Sequence, residues 1–125
     1  MEDRTRQLAG IWQLSARLAS GALVNALARR ANAAGGFATV LAKGDSTAGA
    51  ILVIAQDRGE NPRALERGVG PDGKTALIAV GPSEGESRAV TDYWMRRRQN
   101  DPDLWVVELD IAQAERFVAE TMLGD

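Results

Sequence analysis

Residues Phe37–Gln56 read F-A-T-V-L-A-K-G-D-S-T-A-G-A-I-L-V-I-A-Q, two apolar runs around a small polar segment. The pattern predicts two strands joined as a hairpin. In Phe37–Lys43 the alternation places Phe37, Thr39 and Leu41 on one face and Ala38, Val40 and Ala42 on the other. Ala50–Gln56 is apolar on both faces through Ala55, which predicts an interior strand with a neighbour on each side. The intervening G-D-S-T-A-G is rich in residues that bond their own backbone, the chemistry of a turn.

Downstream, Asp57–Pro62 (D-R-G-E-N-P) reads as a loop and Arg63–Val69 as a polar, half-exposed strand. P-D-G at 71–73 is a turn signal, and Thr75–Val80 is a fourth strand. The connections from Phe37 to Val80 are too short for helical crossovers, so an antiparallel meander is expected. Ser87 is placed to cap a helix over Arg88–Gln99, which Asn100 and Pro102 end. Leu104–Asp110 (L-W-V-V-E-L-D) is a fifth strand. Asp110 with Gln113 resembles a capping box opening a last helix, Ile111–Leu123.

Upstream, Ser20 is expected to cap a helix over Gly21–Ala34, with Leu23, Val24, Leu27, Ala31 and Ala34 on one stripe and Gly35-Gly36 stopping it. Residues 1–19 carry Leu8, Ile11, Trp12, Leu14 and Leu18 at helical spacing and read as an N-terminal helical extension. Trp12 there needs a partner surface and is a candidate interface residue. Residues 20–125 are then expected to form a single α+β domain. Its sheet is mainly antiparallel, a four-strand meander plus one more strand, with helices packed mostly on one face.

Composition narrows the chemistry. The 125 residues are 45% apolar and 26% charged, with a net charge of −2. That suits a folded domain that buries roughly two-thirds of its unfolded surface. No cysteine and no histidine occur. Disulfides, thiolate nucleophiles, Ser-His-Asp triads and His- or Cys-based metal sites are therefore excluded. No metal or other cofactor is expected, since any cation would need an all-oxygen site. The absence of cysteine fits a reducing cytoplasm, and no apolar run is long enough to span a membrane. Charge is uneven: residues 1–50 hold six Lys/Arg and three Asp/Glu, and residues 51–125 nine and fourteen. A globally basic nucleic-acid binder is disfavoured, whereas self-association through opposite charges is open.

Three clusters carry possible chemistry. Lys43, Asp45, Ser46 and Thr47 form either a small polar site or an ordinary turn whose side chains satisfy their own amides. Asp101-Pro102-Asp103, with Glu108 nearby, suits a hard cation or equally the turn that ends a helix. Arg96-Arg97-Arg98 beside Tyr93 and Trp94 suits phosphates and bases. Successive helical residues diverge by about 100°, however, and a solvated, acid-paired face explains that run as well. Trp94 and Trp105 are expected in the core.

Ala26–Val53 (A-L-A-R-R-A-N-A-A-G-G-F-A-T-V-L-A-K-G-D-S-T-A-G-A-I-L-V) resembles the first signature of a small, mostly alphaproteobacterial family, domain of unknown function 1491. Tyr93–Asp110 (Y-W-M-R-R-R-Q-N-D-P-D-L-W-V-V-E-L-D) resembles its second. The resemblance implies a short single-domain protein with no assigned activity, so no catalytic residue carries over. Matching positions include Arg29, Arg30, Gly44, Asp45, Gly49, Asp101, Pro102, Asp103, Trp105 and Glu108. Residues 1–16 lie beyond the pattern.

Three readings follow. The first is a non-catalytic interaction module that self-associates through a sheet edge or Trp12. The second is a small-ligand protein or enzyme whose site gathers Arg29, Arg30, Asp45, Asp101 and Asp103, the ligand being unnamed. The third is weak nucleic-acid contact through Arg96–Arg98. They turn on whether the two signatures meet in space.

Overall fold

A computed structural model describes residues 19–83 and 86–123. In chain order the elements are helix α1 (Ser20–Ala33), strands β1 (Phe37–Ala42), β2 (Ile51–Asp57), β3 (Glu60–Val69) and β4 (Thr75–Val80), helix α2 (Ser87–Asn100), strand β5 (Trp105–Asp110) and helix α3 (Ala114–Leu123). The fold is α+β, a five-stranded mixed sheet with order β1-β5-β2-β3-β4. Antiparallel pairs dominate; β5 against β2 is the parallel one.

This order corrects the hairpin. β1 and β2 do not pair, because β5 lies between them, antiparallel to β1 and parallel to β2. The four-strand meander is therefore three strands, β2-β3-β4. The physical reason lies in burial. Val53, Ala55, Val106, Val107 and Leu109 are all fully buried, so β2 and β5 are apolar on both faces. Two such strands lose the most surface side by side in the middle of the sheet. β1, exposed at Phe37, Thr39 and Val40, takes the rim. Two strand spacings, about 10 Å, separate β1 from β2. The segment Lys43–Ala50 is long enough to step over β5, which a tight turn is not.

The sheet buries both faces. Ile51, Val53 and Ala55 with Trp105, Val107 and Leu109 meet Leu23, Val24, Leu27 and Ala31 of α1 and Val118 and Met122 of α3. Leu52, Ile54, Ala64, Leu104 and Val106 meet Val90 of α2 on the other side, with Tyr93 and Trp94 half-buried against them. Two helices thus share one face and the third covers the opposite one.

Several local expectations shift. α1 begins at Ser20 itself, with Ala19 as the N-cap residue and no side-chain cap. The Ser20 hydroxyl instead donates to the Gly49 carbonyl. At the other end, Gly36 N donates to Ala31 O at 2.9 Å and Gly35 N to Asn32 O at 3.3 Å. With Gly35 at φ +85° this is a Schellman ending, which needs a left-handed residue. Ser87 does not cap α2: Glu86 is its N-cap residue, again without a side-chain bond. α3 starts at Ala114, not Ile111. The Asp110 carboxylate accepts the amides of Arg58 (2.7 Å) and Gly59 (2.9 Å) rather than capping that helix. Those two residues, at φ +54° and +76°, make the whole turn between β2 and β3, so most of the expected 57–62 loop is strand. Pro62 is tolerated where the β2–β3 register slips. β3 is also less polar in effect than expected, with Ala64 and Leu65 buried.

Candidate functional site

The two signatures meet. The connection Lys43–Ala50 crosses the start of β5, and its backbone locks onto the D-P-D-L-W segment. Asp45 N donates to Asp103 O (3.0 Å), and Trp105 N donates to Ala50 O (2.9 Å). The Trp105 indole Nε1 donates to Asp45 O at 2.6 Å. Gly44 and Gly49 flank the Asp103 carbonyl, and a Cβ at either position would overlap it. Glycine stands at both because only a bare backbone approaches this closely. From the other side, Thr47 O and Ser46 O accept the first amides of α1, from Ser20 (3.3 Å) and Gly21 (3.0 Å). These carbonyls satisfy helix donors that no side chain caps.

The polar side chains here serve the local backbone. Asp45 Oδ2 accepts Thr47 N (3.1 Å) and Ala48 N (2.8 Å), an Asx-type turn. Asp101 Oδ1 accepts Asp103 N at 3.1 Å, and Leu104 N closes the same turn on Asp101 O at 3.1 Å. Asp103 is exposed. Among the described residues no three acidic groups stand close enough together to hold a metal ion.

Arg29 and Arg30 lie elsewhere. They sit about 15 Å along α1 from Ser20, at the helix's far end. Arg30 donates to Thr121 Oγ1 (2.6 Å), pairs with Glu120 (3.7 Å) and lies over the Phe117 ring, 5.1 Å from its centroid. The five polar residues singled out therefore divide in two: Asp45, Asp101 and Asp103 adjoin one another at the crossing, while Arg30 ties α1 to α3 and Arg29 is exposed beside it.

The arginine run also divides. Arg96 is exposed. Arg97 donates to Glu66 (3.0 Å) and to the Tyr93 hydroxyl (3.2 Å). Burial opposes its charge, but hydrogen bonds to Tyr93 and Glu66 and the Glu66 charge outweigh that, holding its pKa above the ordinary arginine value. Arg98 donates to Lys43 O at 3.0 Å, tying α2 to the crossing. Tyr93 lies beneath Arg97 and against Gly81, and Trp94 faces the sheet. Trp94, Arg96 and Arg98 line one open cleft of about 860 Å³ with Asp92, Met95 and Gln99, while Arg97 is taken up by Glu66 and Tyr93 outside it. Trp105 is buried as expected, and Trp12 lies outside the described residues. No helix among the described residues is long and apolar enough to cross a membrane.

What the polar residues do not show is the outer edge of β1. No described strand pairs with it. Phe37 is 72% exposed and Val40 45%. Opposite residues of a pair share a face, so Val40 lies with Val107 on the α1/α3 side and Phe37 with Asp110 on the α2 side. The strand is bulged at Leu41, where the register passes from Val40↔Val107 to Ala42↔Val106. The sequence held the signal in an uncharged run, F-A-T-V-L-A. Assigning β1 to a hairpin with β2 hid its position at the rim.

Comparison with known proteins gives a single answer. The family model "Protein of unknown function (DUF1491)" matches residues 18–119. A crystal structure of a DUF1491 family protein from Caulobacter crescentus is 34% identical, with a TM-score of 0.70 over 80% of this chain and 94% of that one. An NMR structure of a DUF1491 family protein from the same organism is 38% identical, with a TM-score of 0.67 over 81% and 92%. A solution structure of a protein from A. tumefaciens is 31% identical, with a TM-score of 0.64 over 78% and 88%. No curated protein matches the chain.

Proposed function

The chain belongs to the DUF1491 family, and from that premise we propose that it is a non-catalytic interaction module of the bacterial cytoplasm, self-associating through the outer edge of β1. The observation that carries the reading is the rim strand itself. It holds no charged residue and no proline, and it exposes Phe37 and Val40. A free edge offers a row of backbone donors and acceptors to an incoming strand; charges, proline, short length and bulges are the usual protections, and of these β1 carries the bulge at Leu41, which leaves Phe37–Val40 regular. The polar signatures support a structural role beside it, since the Asp45 and Asp101 carboxylates are taken up by neighbouring amides.

Sedimentation across a wide concentration range tests the reading. The wild-type chain is expected to associate as concentration rises, and Val40→Lys to remain monomeric with an unchanged circular-dichroism spectrum. A wild-type chain that stays monomeric throughout removes it. A second reading, a small-ligand site between Asp45 and Asp103, draws on the contact between those two segments. A thermal-shift screen with nucleotides and divalent cations tests that one: a raised melting temperature supports it, and uniformly flat responses remove it.

A further inference from the structure

We propose that the strand received by β1 is β1 of a second copy, antiparallel and centred on Thr39, so that two five-stranded sheets join into one. The inference rests on the reading of β1 as the contact edge and adds partner, symmetry and register.

Symmetry limits the registers. A two-fold axis perpendicular to the sheet keeps equivalent faces of both copies on the same side, so paired residues must share a face. The axis must then pass through a residue. Centred on Thr39, it sets Phe37 against the second copy's Leu41 on the α2 side, and Ala38 against its Val40 on the α1/α3 side. Both exposed apolar residues thereby gain an apolar cross-strand neighbour. Centred on Val40, the axis pairs Ala38 with Ala42, which pack on opposite faces because of the bulge at Leu41, and leaves Phe37 against Lys43. Centred on Ala38, it leaves Val40 against Gly36.

Charge agrees with the Thr39 register. Residues 37–42 are uncharged, so no like charges oppose one another. The other rim, β4, is the weaker candidate: Leu77, Ile78 and Val80 on it are half-covered. Pairing β1 with β4 of another copy is heterologous and closes only where its rotation forms a ring, whereas the two-fold pair closes on itself. A strand contact this short falls below the roughly 800 Å² per partner of a stable dimer, so the association is concentration-dependent.

Because the chain has no cysteine, one introduced cysteine reports the register. Directly opposed residues of an antiparallel pair lie about 4.5–5.5 Å apart at Cα, within disulfide range. Under mild oxidation at a concentration where the wild type associates, Thr39→Cys is expected to convert mostly to covalent dimer, while Val40→Cys and the β4 control Ala79→Cys stay mostly monomeric. Mixing Ala38→Cys with Val40→Cys is expected to give the mixed disulfide, which keeps the test valid if Thr39→Cys misfolds. Cross-linking at Ala79→Cys, or none at any position while the wild type still associates, overturns the β1–β1 arrangement and leaves self-association standing. A wild type that never associates overturns both.

Discussion

The crossing of Lys43–Ala50 over β5 and the outer edge of β1 are adjacent in sequence and opposite in character. The crossing holds the residues that look chemical: Asp45, Ser46, Thr47 and the aspartates of D-P-D. Two of their carboxylates are occupied by the fold: Asp45 Oδ2 holds two amides of its own turn and Asp101 Oδ1 the Asp103 amide, while Trp105 Nε1 holds the Asp45 carbonyl. The edge holds F-A-T-V-L-A, with no ionisable group, yet Phe37 and Val40 face solvent there. The lesson is that a polar signature marks a site only where its groups have no local employment, and that a bland strand becomes a surface once it reaches the rim.

Substitutions separate the two regions by what they change, and the largest effect is expected at the crossing. Gly49→Ala would drive a methyl into the Asp103 carbonyl and is expected to destabilise the fold by about 3 kcal/mol, read by urea unfolding. A loss below about 0.5 kcal/mol would show that the crossing is loose and break the contrast with the edge. Trp105→Phe removes the indole donor and leaves the Asp45 carbonyl without it, at an expected cost of about 1–2 kcal/mol in the same measurement. Asp45→Ala frees the Thr47 and Ala48 amides, but at an exposed turn where water replaces the carboxylate, so about 1 kcal/mol is expected. A thermal-shift response to a small ligand that this variant abolished would instead mark the crossing as a binding site. Phe37→Ser sharpens the comparison from the other side. Its monomer stability should change by no more than about 0.5 kcal/mol, since the ring is already exposed, while self-association by sedimentation is lost.

Much of the architecture was legible in particular residues. Leu23, Val24, Leu27 and Ala31 of the expected α1 stripe are buried as their spacing predicts, Ala34 is the exposed C-cap residue instead, and Gly35-Gly36 ends that helix. Thr75–Val80 is a strand with the expected bounds, and Ile51–Ala55 is the central strand because both its faces are apolar. Less legible were the caps. Ser20 and Ser87 have the right chemistry, but a cap is needed only where no tertiary acceptor or donor is closer, and Ser20 found the Gly49 carbonyl. The turn at Arg58-Gly59 was hidden inside D-R-G-E-N-P, whose polar and turn-forming residues read as a loop throughout. Asp110, fifty residues away, supplies the acceptor that stabilises the turn.

The amino-acid sequence alone determined most of the described elements, the α+β class, the chemistries that absent cysteine and histidine exclude, and the resemblance to DUF1491, since each depends on residue types and short-range spacing. Tertiary structure alone decided that β5 enters between β1 and β2. Strand order is settled by which surfaces lose most water when paired. The L-W-V-V run competes for the place beside I-L-V-I-A from more than fifty residues away, beyond the reach of any local pattern. That one insertion turned the expected hairpin into a crossing. It brought D-S-T-A-G against D-P-D-L-W, separated both from Arg29 and Arg30, and left Phe37 and Val40 on the rim.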